Sequence, residues 1–245
     1  MSGHSKWSTI KHKKAKTDAQ KGKIFTKIVR EITSAARQGG ADADGNPRLR
    51  LAIEKAKEVN MPADNIKRAV QKGAGAGDGQ EFEDILFEAY GPFGVAILIN
   101  TLTDNRNRTV PNIRSILGKY SGNLAAKGAV SYLFEQNGLL IFEPGASEEA
   151  IIDCATEAGA EDVDCKEDGS IEVIVKPEAY EKVKQAFEGA TLQPVSSAIG
   201  MLPKTSVLLT QDQARTISTL IEKLEDDDDV QDVYSNAQFP DDWVE

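Results

Sequence analysis

The sequence predicts a multidomain α+β protein: an N-terminal three-helix bundle followed by two α+β domains of ferredoxin-like type, one inserted in the other. Three observations carry this. Apolar residues recur at helical spacing after a polar start and stop at a glycine-rich stretch. From Leu139 to about Ala198 the elements read β-α-β-β-α-β, the order of a split βαβ unit. The elements between Ser206 and Tyr234 lack partners in their own segment and fit the sheet that begins near Phe82.

Met1 to Lys21 are rich in Lys, Ser, Thr and Gly without an apolar period, which predicts a basic arm that is poorly ordered alone. From Gly22, residues Phe25, Ile28, Val29, Ile32 and Ala36 give the first helix, and Gly39-Gly40 stops it. Asn46-Pro47 is a cap followed by a first turn, with Leu49, Ala52, Ile53, Ala56 and Val59 behind it. Pro62 opens a third helix with Ile66, Ala69 and Val70 inward, and the run from Gly73 to Gly79 has linker composition.

Beyond the linker the period shifts toward two. Phe82 to Tyr90 and Val95 to Leu102 flank Gly91-Pro92-Phe93-Gly94 as a hairpin, and a helix then starts near Thr109 to Pro111. Strands are expected at Ala129 to Phe134 and Leu139 to Phe142, then a helix from Ser147 to Ala158 burying Ile151, Ile152 and Ala155. A second hairpin surrounds Glu167-Asp168-Gly169, Pro177 opens a helix to about Glu188, and Leu192 to Ser197 reads as a strand. A strand at Ser206 to Thr210, a helix from Gln211 to Leu224 and a strand at Val230 to Tyr234 finish the chain. The expected domains are therefore 1–21 (arm), 22–77 (helical), 78–136 with 205–245 (discontinuous α+β), and 137–204 (inserted, ferredoxin-like).

Formal net charge is −10, but the average conceals a division. Residues 1–75 hold 17 of the 29 Lys and Arg and 7 of the 39 Asp and Glu, a balance of +10 against −20 for the rest. Such asymmetry marks a basic arm for nucleic acid or membrane surfaces on a soluble body. No apolar run approaches the ~20 residues that span a bilayer, so a membrane role is not expected. Cys154 and Cys165 form neither a CxxC pair nor a metal quartet and read as small buried hydrophobes; nothing resembles a secretory leader, so a reducing cytoplasm is expected.

Catalysis finds no constellation. The two histidines, His4 and His12, both lie in the arm, where no reacting geometry can be held. No phosphate-cradling GxxxxGK[ST] motif occurs, and no cofactor or metal is expected. The acidic run Glu225-Asp226-Asp227-Asp228-Asp229 follows a helix C-terminus, where the dipole disfavours it, and reads as a solvated loop rather than a metal site. A metal-dependent enzyme with that run as its site is the remote alternative.

Lys6, Lys11, Lys13, Lys14, Lys16, Lys21, Lys23, Lys27 and Arg30 set nine cations against the single acid Asp18 in thirty residues. Phosphates neutralised by such an arm release counterions, and Trp7 among the lysines offers a stacking surface for an unpaired base. Arg48, Arg50, Lys55, Lys67 and Arg68 on the second and third helices could serve base-edge readout in a duplex, although no helix-turn-helix pattern is clear. A second candidate is Thr103 to Thr109, where Arg106 and Arg108 at a helix start suit a phosphate; the competing reading pairs them with local carboxylates. Residues 205–245 carry −9, opposite to the +8 of residues 1–30. Solubility of a monomer is the favoured role for the acidic run, and restraint of the basic arm the alternative.

Gly3-His4-Ser5-Lys6-Trp7, Ile10-Lys11-His12, Gly22-Lys23-Ile24-Phe25-Thr26-Lys27, Asn46-Pro47-Arg48-Leu49-Arg50, Asn60-Met61-Pro62, Asp64-Asn65-Ile66 and the loop from Leu102 to Thr109 resemble the YebC/PmpR family. Gly122-Asn123-Leu124, Gly128-Ala129-Val130 and the segment Asp229 to Tyr234 extend the likeness over essentially the whole chain. Two positions depart: the family's Gly-Pro-Gly-Gly turn has Phe93 at its third position, and Ala125 stands where a glycine is usual. The resemblance implies three domains, a cytoplasmic location and a DNA-binding regulator of transcription. It implies as the alternative a translation factor, since mitochondrial relatives activate translation and bacterial ones are linked to ribosomes stalled on proline-rich sequences. The expected partners are therefore duplex DNA or ribosomal RNA, with the ribosome as a further partner.

Overall fold

A computed structural model describes residues 18–75, 81–240 and 243, with the side chains of residues 18–21 outside that description. The expected arm thus falls outside the described residues up to 17, and so does the centre of the glycine-rich linker, residues 76–80. The described chain is α+β, as the sequence predicts.

Three helices come first: α1 (Asp18–Gly39), α2 (Pro47–Glu58) and α3 (Ala63–Ala74). They close over Ile28, Ile32, Leu49, Ala52, Ala56 and Ala69, the residues whose helical spacing announced them. Asn46 joins the first two: its Oδ1 accepts from the Leu49 N–H at 3.1 Å, and its Nδ2 donates to the Ala35 carbonyl at 2.8 Å. Gly73 lets α3 approach α1, because a Cβ there would lie 2.4 Å from the Thr33 carbonyl oxygen.

Strands β1 (Glu83–Tyr90) and β2 (Ala96–Thr103) form the expected hairpin, followed by α4 (Arg106–Lys119) and the two-residue β3 (Asn123–Leu124). Phe93 occupies the turn with φ 64°, the left-handed region. The partner elements arrive from the end of the chain: α7 (Gln211–Glu225), opened by a Thr210–Gln213 capping box, and β9 (Val230–Ser235), antiparallel to β2. The sheet order is β3-β1-β2-β9, and α4 and α7 cover one face through Ile113, Leu117, Ile217, Leu220 and Leu224. Each such side chain contributes roughly 1.5–3 kcal/mol by leaving water.

Between those halves lie β4 (Phe134–Phe142), α5 (Glu148–Ala158), β5 (Asp162–Cys165), β6 (Ile171–Val175), α6 (Tyr180–Gly189) and β7 (Ser196–Pro203). Their sheet order, β5-β6-β4-β7 and antiparallel throughout, is that of the ferredoxin-like fold. Its core holds Leu140, Phe142, Ile151, Val173, Tyr180, Val183 and Phe187. Strands β8 (Val207–Leu208) and β10 (Ala237–Gln238) pair in parallel as a separate two-stranded sheet.

Several local expectations are corrected. Ala129 to Phe134 is not a strand: Ser131–Leu133 form a 3-10 turn, and β4 runs unbroken from Phe134. The last strand of the insert lies four residues later than Leu192, because Leu192 closes the end of α6 by donating its N–H to the Phe187 carbonyl at 2.9 Å. Helix α4 begins at Arg106, capped by Asn105, and contains Pro111 in its interior. The first helix begins at Asp18 rather than Gly22. Ile152 and Cys165 are exposed, since Ile152 turns off the buried stripe of α5 and Cys165 ends an edge strand.

Candidate nucleic-acid interface

On α1, Lys23, Lys27 and Arg30 recur at i, i+4 and i+7 and share a face, while Ile28, Ile32 and Ala35 take the buried side. That basic face meets the C-terminal end of α7. Lys23 Nζ lies 3.3 Å from Asp226 Oδ1 and 3.4 Å from the Asp226 carbonyl. Lys27 Nζ donates to the Glu225 carbonyl. Arg30 Nη1 reaches the Asp228 carbonyl at 2.7 Å and Asp229 Oδ1 at 2.9 Å. A helix C-terminus leaves its last carbonyls unpaired and carries partial negative charge, so three cations from another helix satisfy both needs.

The acidic run is therefore not a plain solvated loop. Asp229 is buried, and its carboxylate also accepts from Thr109 Oγ1 at 2.8 Å and from Arg108 Nη2 at 2.8 Å to each oxygen. Burial alone would raise its pKa, but the bonds from Arg108, Thr109 and Arg30 outweigh that and hold the carboxyl below its ordinary range. Asp226 is lowered against the same opposing burial, by Lys23 first and Lys223 next. Lys27 shows the reverse balance: its burial outweighs the attraction of Glu225 and the neighbouring aspartates and lowers its pKa.

The structure brings four expected residues together here, namely Lys23, Lys27, Arg30 and Arg108. Arg108 follows the competing reading of its loop, since it pairs with Asp104 at 2.7 Å and with Asp229. Arg106 sits beside it in the first turn of α4, 63% exposed at its side chain, with Glu83 at 3.9 Å. Arg48 and Arg50 lie elsewhere. The Arg48 guanidinium grips Glu31 at 2.7 Å, Asp84 at 2.8 Å and Gln38 at 2.8 Å, tying α1 and α2 to β1. Those bonds raise its already high pKa. Arg50 faces the Ala43 and Asp44 carbonyls at 3.4 Å. Lys6, Trp7, Lys11, Lys13, Lys14 and Lys16 lie outside the described residues, as does the side chain of Lys21.

Lys67 and Arg68, expected as candidate base readers, lie exposed on α3 together with Lys72, which the sequence did not single out, and the three form no ion pair among the described residues. Lys55, expected with them, lies 3.4 Å from Asp232 Oδ1. One feature escaped sequence reasoning. Glu88, on the face of β1 opposite α4, accepts the backbone N–H groups of Gly128, Val130 and Ser131 at 2.6 to 2.8 Å and so fixes the loop before β4. An alternating strand gives no signal for a buried carboxylate whose partners are backbone amides some forty residues away.

Two family models match the chain: the TACO1/YebC N-terminal domain over residues 5–76, and the TACO1/YebC second and third domain over residues 82–237. A relative from Coxiella burnetii (strain RSA 493) is 51% identical over 240 residues, covering 98% of both chains. One from Geobacter sp. (strain M21) is 49% identical over 245 residues, covering 100% of this chain and 99% of its own. Both bear the name "Probable transcriptional regulatory protein". Among solved structures, a conserved hypothetical protein from Aquifex aeolicus superposes with a TM-score of 0.85 at 44% identity, over 96% of this chain and 98% of that one. The chain therefore belongs to the TACO1/YebC family, in which its bacterial relatives are named as probable transcriptional regulatory proteins.

Proposed function

We propose that this regulator works by binding nucleic acid through its basic N-terminal region, without catalysis, as a monomer in the cytoplasm. The observation that carries the reading is the one-sided charge: +10 over residues 1–75 on a chain of net −10. Lys67, Arg68 and Lys72 on α3 extend it onto the helical body as exposed cations. The family's regulator name supports duplex DNA as the template.

One structural observation favours ribosomal RNA as a second reading. Base-edge readout in a major groove relies on Arg, Asn or Gln forks, and here the forks of Arg48 and Arg108 are committed to carboxylates within the chain. The cations left exposed are chiefly lysines, which serve as point charges for phosphates and suit irregular RNA as well as duplex.

A competition of labelled promoter duplex against scrambled duplex and intact ribosomes, titrated over salt, tests both. A transcriptional regulator keeps a preference for its promoter as salt rises, because base contacts resist screening better than phosphate contacts. Loss of all duplex preference with cosedimentation on ribosomes selects the second reading, and absence of binding to every probe rejects both.

A further inference from the structure

We propose that the turn Glu225–Asp229 acts as a built-in phosphate mimic, occupying the Lys23–Lys27 end of a phosphate-binding face on α1 until nucleic acid displaces it. The inference rests on the nucleic-acid reading above and names how that site is regulated.

The geometry is that of an occupied anion site. Along a helix, Lys23 and Lys27 are offset by ~6 Å, and Lys27 and Arg30 by ~4.5 Å. Flexible ammonium groups at that pitch can follow phosphates that advance ~3.4 Å per step of one strand. Among the described residues, the acceptors on this face are oxygens of the turn: the carbonyls of Glu225, Asp226 and Asp228, and the carboxylates of Asp226 and Asp229. A phosphodiester likewise presents oxygen acceptors spaced along a chain, and it carries the negative charge that the two carboxylates supply here.

The contact is graded. At its inner end Asp229 is buried and shared by Arg30, Arg108 and Thr109, which makes it a fixed joint. At its outer end the Lys23–Asp226 pair is exposed at 49% and 41% of its side chains, so water and salt compete there. Lys27 lies between, and its lowered pKa shows that its burial is incompletely compensated, so moving its ammonium group to a solvated phosphate relieves desolvation. Nucleic acid thus opens the contact from Lys23 inward while Arg30 stays on Asp229. The arm reaches α1 at Asp18, on the Lys23 side of the stripe, so phosphates held by the arm are led to the end that opens first.

The test uses the full chain and an Asp226→Asn/Asp228→Asn variant. It spares Asp229 and also Asp227, whose carboxylate accepts the Asp229 N–H at 2.9 Å and holds the turn. A charge-matched control, Glu149→Gln/Asp153→Asn, removes two exposed acids from α5. Anisotropy is read with a fluorescein-labelled random-sequence DNA duplex and, separately, an RNA of the same sequence, at about 50 mM and about 0.5 M KCl. The turn variant should bind roughly threefold to tenfold tighter than parent at low salt, with the gain vanishing at high salt, while the control stays within about twofold of parent. Amides 226–228 of the parent should also exchange faster when it is saturated with either probe. Equal affinities of turn variant and parent, an equal gain in the control, or unchanged exchange at the turn overturns the mimic while leaving nucleic-acid binding intact. Failure of the parent to bind either probe overturns both.

Discussion

The Nη2 of Arg108 lies 2.8 Å from both oxygens of Asp229, whose side chain is 2% exposed. Through this pair the first turn of α4 is fastened to the turn that links α7 to β9, and Arg30 adds α1 to the same point at 2.9 Å. Replacing Asp229 with Asn leaves two cations without their shared anion. The expected loss is about 2–3 kcal/mol, reduced from the buried-pair range because solvent still reaches both arginines. Denaturant unfolding of the variant beside the parent measures it, and a midpoint unchanged within error would contradict it.

The same turn sets an acid dependence. Asp229 and Asp226 have carboxyls held below the ordinary range, so each contributes stability that is in place above the unfolded carboxylate value and is lost as pH falls through the lower folded value. Thermal midpoints should therefore decline below about pH 4 and be flat with respect to these groups near neutrality. In Asp229→Asn the decline should be shallower. An equally steep acid limb in the variant would assign the loss to other groups.

Glu88 is the corresponding joint of the loop before β4. Burial pushes its carboxyl up, while the amides of Gly128, Val130 and Ser131 together pull it lower. Glu88→Gln keeps the shape but offers one acceptor oxygen to three donors. It should cost about 1–3 kcal/mol and speed amide exchange at 128–131. Unaltered protection there would show that the loop is held by other contacts.

One helix position and one turn position should respond in opposite directions. Gly73→Ala forces a Cβ against the Thr33 carbonyl and should destabilise by about 1–3 kcal/mol through separation of α3 from α1. Phe93→Gly removes a bulky residue from φ 64° and should stabilise by about 0.5–1 kcal/mol. Thermal unfolding of each variant reads the sign directly. A destabilised Phe93→Gly would mean that the ring, 48% exposed, makes a contact worth more than the backbone strain.

Much of this architecture is legible in the sequence wherever one periodicity dominates. Ile28, Ile32 and Leu49 mark their helices because each buries one stripe, and the β-α-β-β-α-β order of the insert survives errors in its boundaries. Boundaries fail where a residue serves a turn and resembles a strand, as at Leu192, or where a proline sits inside a helix, as Pro111 does in α4. β7 is hard to read for another reason: it is an edge strand, half-buried along nearly its whole length, so its side chains show no alternation. For the site, counting charge shows that the two ends of the chain attract, but not which residues meet. A string of five acids has the composition of a solvated loop, and the burial of Asp229 depends on Arg30, Arg108 and Thr109, which are distant in sequence.

Phosphate binding by the basic N-terminal region is tested most directly by comparing the full chain with a form lacking residues 1–17, which keeps every described element. Duplex affinity is followed as a function of salt, and thermal unfolding is recorded for both forms. The truncated form should melt with the parent, lose most of its affinity, and show a salt slope reduced by ~0.9 for each phosphate contact that Lys6, Lys11, Lys13, Lys14 and Lys16 had supplied. Equal affinity and equal slope in the two forms would contradict phosphate binding by this region.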